Sequence, residues 1–73
     1  MVEVRLFATL RENREKILYL PYLEFPNAQS ILDSLRIDPK DVAILLINGR
    51  HSKPIDEIHD MDIVALFPPV GGG

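Results

Sequence analysis

Apolar residues change their spacing along this chain, and each change marks an element. Val2, Val4 and Leu6 alternate with Glu3, Arg5 and Phe7, the period-2 pattern of a strand with one face in a core. On that parity Phe7 falls with the polar residues, on the outer face. Ala8 to Lys16 is polar and charged enough to be a loop or a short helical turn. A second strand is predicted within Ile17 to Phe25. Pro21 lies inside that stretch, and proline cannot donate to a ladder, so the strand is at an edge or broken. Ala28, Ile31, Leu32 and Leu35 then keep the i, i+3, i+4, i+7 spacing of one buried stripe. They predict a helix from about Ala28 to Arg36, with Asn27 as its N-cap.

The second half is strand-rich. Asp38-Pro39 reads as a cap and first position of a single short turn. Val42 to Ile47 reads as a strand apolar on both faces. Asn48-Gly49 is a turn signal, favoured where both central residues need positive φ. A weak strand around Arg50 to Ser52 and a loop through Lys53-Pro54 follow. Asp60-Met61-Asp62 is expected to be the tight turn into a last strand, Ile63 to Phe67. This order predicts an α+β domain with one helix packed across a mixed sheet.

Composition narrows the class. Seventy-three residues make one small domain, with 47% apolar and 26% charged residues, a globular balance. The net charge of −3 and the lack of a basic run give no electrostatic support for nucleic-acid binding. Without cysteine there is no disulfide, thiolate nucleophile or Cys-based metal site, which fits a cytoplasmic setting. Glu3 and Arg5 interrupt the N-terminal apolar residues, so no signal peptide is read. The longest apolar run, Val42 to Ile47, is far too short to span a membrane.

Catalytic groups are scarce. His51 and His59 are the only histidines and read as solvated surface residues, with no third ligand at metal spacing. Asp56 and Glu57, or Asp60 and Asp62, are carboxylate pairs that a polar loop explains as well as a site does. No glycine-rich loop between a strand and a helix is present to hold phosphate. The chain is not expected to be an enzyme on its own, to bind a cofactor or to hold a metal.

The ending is different. From Ile63 to Gly73 no side chain ionises, so the only charge there is the α-carboxylate of Gly73, ionised at neutral pH with a reference pKa of roughly 3.5. Pro68 and Pro69 fix φ and offer no N–H, which stops the strand and stiffens the exit. Gly71, Gly72 and Gly73 have no Cβ, so the backbone can approach another protein closely. Such a tail enters a dry channel without desolvating a charged side chain. A frayed terminus is the plainer alternative.

Several stretches together carry a resemblance. They are Leu6-Phe7-Ala8-Thr9-Leu10-Arg11-Glu12, Phe25-Pro26 ahead of the helix, Ile47-Asn48-Gly49, and Asp62 to Phe67 running into Pro68-Pro69-Val70-Gly71-Gly72-Gly73. They resemble the MoaD/ThiS family of ubiquitin-like sulfur carriers, above all the small subunits of molybdopterin synthase, which end Phe-Pro-Pro-Val-x-Gly-Gly. The resemblance implies a β-grasp fold over residues 1–67 and an extended tail over 68–73, with the last strand beside the first in the sheet centre. Two positions depart from the family pattern. Met61 stands where glycine is frequent, and with positive φ it carries about 1–2 kcal/mol of strain. Gly71 stands where threonine is frequent.

The resemblance also implies a chemistry and partners. An E1-like (MoeB-like) enzyme supplies the ATP site and adenylates Gly73. A persulfide then provides sulfur, leaving a Gly73 thiocarboxylate. A MoaE-like large subunit receives the tail, Pro68 to Gly72 threading its active site, and passes the sulfur to a pterin precursor. The family match puts Val64 and Leu66 inside, leaving Ile63, Ala65 and Phe67 outward with Phe7 as a partner-binding patch. Alternatively, one or more of these side chains completes the domain's own core. Thiazole synthesis and tRNA thiolation use the same carrier chemistry. A modifier joined to lysines of other proteins begins with the same adenylation, so the two classes stay open.

Overall fold

The computed structural model describes residues 1–70. Among these residues five strands form one sheet, in the order β2-β1-β5-β3-β4. They are β1 (Val2–Leu6), β2 (Ile17–Leu20), β3 (Ile44–Ile47), β4 (Arg50–His51) and β5 (Ile63–Phe67). The first and last strands are parallel neighbours, with Val4 opposite Val64 and Leu6 opposite Leu66. All other pairings are antiparallel. This is the mixed sheet with one helix that the α+β pattern predicts, and it is a β-grasp fold. Joining parallel strands needs a long crossover, and most of the chain between β1 and β5 serves as one.

Strand limits follow local chemistry. β2 stops at Leu20, just before Pro21, and lies at the sheet edge. β3 starts at Ile44 rather than Val42. The Val42 N–H is engaged with Pro39 O at 3.1 Å, closing a 3-10 turn over Pro39–Asp41 whose N-cap is Asp38. Ala8–Arg11 forms another such turn. Asn48 (φ 52°) and Gly49 (φ 80°) both take the left-handed region that the β3–β4 hairpin requires.

The helix α1 spans Ala28–Leu35. Asn27 caps it, its Oδ1 accepting from Ser30 N at 2.9 Å. Two further N-terminal donors, Gln29 N (2.7 Å) and Ala28 N (3.4 Å), reach the carbonyls of Pro54 and Asp56, so the first turn leaves few orphan groups. The C-terminus departs from expectation. Arg36 lies outside the helix with φ 58° and ψ 41°, while Ile37 N bonds Leu32 O at 2.9 Å and Arg36 N bonds Asp33 O at 3.1 Å. This is the Schellman ending, in which glycine usually takes the left-handed position. Arginine there carries about 1–2 kcal/mol of strain.

The core lies between α1 and one face of the sheet. Val2, Val4, Leu6, Val64 and Leu66 from the central strands meet Ala28, Ile31 and Leu32, all almost fully buried. Leu10, Ile37, Leu45 and Ile58 close its margins. Leu35 is half-buried at the edge of this cluster rather than inside it. No buried residue is polar or charged among those described.

Candidate functional site

A helix covers only one face of a sheet, and among the described residues no helix lies over the other face. Alternation in β5 puts Val64 and Leu66 in the core and leaves Ile63, Ala65 and Phe67 half-buried on the far side. Phe7 follows β1 directly, on the same parity. Its ring stacks on Phe67, with centroids 4.2 Å apart and planes 11° from parallel. Phe7 N donates to Leu66 O at 3.2 Å, so the two strand ends are tied where the rings meet. The sequence-predicted patch of Phe7, Ile63, Ala65 and Phe67 is therefore brought together.

The open face is wider than the sequence predicted. Register sets Leu46 opposite Ala65 and Ile44 opposite Phe67, both outward and half-buried. On the other flank Ile17 lies opposite Arg5 and Tyr19 opposite Glu3. Arg5 Nε is paired with Glu3 Oε2 between the two apolar groups. The signal for Ile44 and Leu46 was present, since Val42 to Ile47 is apolar on both faces. Only the register shows which of its residues face out beside Phe67.

The start of β5 is held by a clamp that sequence reasoning missed. Asn48 Nδ2 donates to Asp62 Oδ1 at 2.8 Å, and Ile63 N donates to Asn48 Oδ1 at 2.9 Å. Asp62 Oδ2 accepts from His59 N at 2.8 Å. Asn48 and Asp62 thus fix the strand that carries the tail. Met61, within this turn, has φ 72° and is exposed. The strain expected of a non-glycine residue there is present.

Past Phe67 the strand ends. The Phe67 carbonyl accepts from Ala43 N at 2.8 Å, its last bond to the sheet. Pro68 is half-buried, while Pro69 and Val70 are exposed. The expected reacting end at Gly73, with Gly71 and Gly72, lies outside the described residues.

The ionisable residues weighed as catalytic groups are scattered. His59 lies 3.7 Å from Glu57 Oε1 and 3.9 Å from Asp62 Oδ2, in the open. Asp60 pairs with the amino group of Met1. His51 is on β4 and exposed. Among the described residues no three His, Cys, Asp or Glu side chains are grouped to hold a metal ion. None of the described helices is long and apolar enough to cross a membrane.

The profile that defines the ThiS family matches residues 4–73. The chain belongs to the ThiS family. It is therefore a member of the ubiquitin-like carriers and modifiers related to ThiS and MoaD. Among solved structures it is similar to SAMP1 of Haloferax volcanii, at 25% identity and a TM-score of 0.74 over 99% of this chain and 98% of that one. A second structure of that small archaeal modifier protein gives a TM-score of 0.75 at 22% identity, covering 94% and 97% of the two chains. A Pyrococcus furiosus protein provisionally assigned as molybdopterin converting factor, subunit 1, aligns at 26% identity with a TM-score of 0.67, covering 94% and 97%. No curated protein sequence matches the chain.

Proposed function

We propose that this chain is the sulfur carrier subunit of a molybdopterin synthase, working through the carboxylate of Gly73. The observation that carries the reading is the stacked Phe7–Phe67 pair at the head of a Pro-Pro-Val-Gly-Gly-Gly tail without charged side chains. A carboxylate is a poor electrophile until one oxygen becomes a leaving group. In this reading an E1-like partner binds the open face, forms the Gly73 acyl-adenylate from ATP and releases pyrophosphate. The terminal sulfur of a persulfide then displaces AMP, giving an acyl disulfide. A second thiol of the partner side attacks its donor sulfur, forming a disulfide there and releasing Gly73 as a thiocarboxylate. The synthase large subunit takes the tail, Pro68 to Gly72 threading its active site, and passes the sulfur to the pterin precursor. The domain of residues 1–67 is a rigid handle for the tail of 68–73, and the chain carries a group as cofactors do.

Likeness to the Pyrococcus furiosus protein favours the molybdopterin route. Likeness to the Haloferax volcanii modifier supports a second reading, in which Gly73 is joined to lysines of other proteins. The intact mass of the chain from its native cell separates them. Sulfur in place of one terminal oxygen marks a carrier, whereas a branch on a target lysine marks a modifier. Finding only the free carboxylate, with no pyrophosphate exchange by the cognate activating enzyme, overturns both.

A further inference from the structure

A second feature lies at the root of the tail, on the helix side of the sheet. Arg14, Arg36 and Asp41 border a trough of about 410 Å³ with Pro68 and Pro69 along one wall. Its charge is two guanidinium groups against one carboxylate. Arg14 is already committed within the fold. Its guanidinium donates to Leu35 O (3.2 and 3.4 Å) and Leu10 O (3.4 Å), tying the first 3-10 turn to the end of α1. Arg36 is not so tied. It is exposed, and among the described residues its side chain takes part in none of the hydrogen bonds or ion pairs.

That freedom coincides with a backbone cost. Arg36 occupies the left-handed position at the helix end, φ 58°, where glycine is the unstrained choice. A strained residue whose side chain makes no hydrogen bond or ion pair among the described residues points to a use outside them. We propose that Arg36 is a specificity-determining contact for an acidic side chain of the activating enzyme that adenylates the tail. That side chain sits in the trough beside Pro68 and Pro69. The inference rests on the carrier-or-modifier reading, because it requires a partner that follows the tail to its root. The charge surplus of the trough selects a carboxylate, and guanidinium geometry suits one in two-point contact.

The test is ATP–pyrophosphate exchange by the cognate activating enzyme, with the full chain as the varied substrate. Wild type, Arg36→Gly and Arg36→Lys are compared at low and high salt, with a thermal melt of each. Arg36→Gly is expected to melt no lower than wild type, yet to raise the KM for the carrier about two- to fivefold, the range of exposed ion pairs. Its kcat should be unchanged, and the KM difference should shrink at high salt. Arg36→Lys should fall between the two, keeping the charge without the fork. Equal KM values for wild type and Arg36→Gly overturn the inference while leaving the proposed function intact. A lower melting temperature for Arg36→Gly also overturns it, by giving the side chain a role within the fold. No exchange with wild type overturns the proposed function and this inference together.

Discussion

Phe67 acts through its backbone and its ring in different ways. Its carbonyl holds β5 to Ala43, while its ring stacks on Phe7 outside the core. Truncating the ring leaves the first role untouched. Phe67→Ala is therefore expected to stay folded but to weaken binding to the activating enzyme by at least about 2 kcal/mol, as central aromatic anchors do. Titration calorimetry checks this, and unchanged affinity or an unfolded variant would assign Phe67 to the core instead. Met61 offers the opposite experiment. Its side chain is 78% exposed and its φ is 72°, so little packing offsets the strain. Met61→Gly should raise stability by up to about 1 kcal/mol, the relief of strain less the extra chain entropy of glycine. Urea unfolding measures it, and a loss of stability would mean that the thioether packs against the turn.

At the scale of elements, α1 is the piece on which the sheet's buried face depends. Leu32 is fully buried against the central strands, and Leu32→Ala should cost roughly 2–5 kcal/mol, much of a small domain's stability. A melting temperature within a degree or two of wild type would show that this face packs loosely. The stripe was legible because spacing alone sets which helical residues share a side. So were the Asn27 cap, the positive-φ hairpin at Asn48-Gly49 and the edge position of β2, each dictated by one residue type. Less local features were not. The apolar pattern runs straight through Arg36 and gives no sign of its left-handed turn. Val42 is as apolar as Ile44, yet the preceding 3-10 turn claims its N–H. The Asn48–Asp62 clamp joins residues 14 apart in sequence, and no short-range pattern records such a pairing. Of the site, the aromatic pair was readable from parity and family resemblance, whereas its neighbours Ile44 and Leu46 needed the register.

For the molecule as a whole, reach matters more than composition at the tail. Removing Gly73 leaves the same carboxylate on Gly72, about 3.5 Å short. A misplacement of even about 1 Å can cost on the order of a hundredfold in rate. The shortened protein should fold and dock through Phe7 and Phe67, yet support almost no pyrophosphate exchange. Equal exchange by both proteins would remove the reason for assigning chemistry to this end. The strand order carries one more consequence. β5 lies between β1 and β3, so a growing polypeptide holds only two separate hairpin halves until residues 63–67 have emerged. The sheet cannot close without β5, so a product truncated before that strand leaves its apolar halves unjoined. Folding itself thus screens out handles made without the strand that bears the tail.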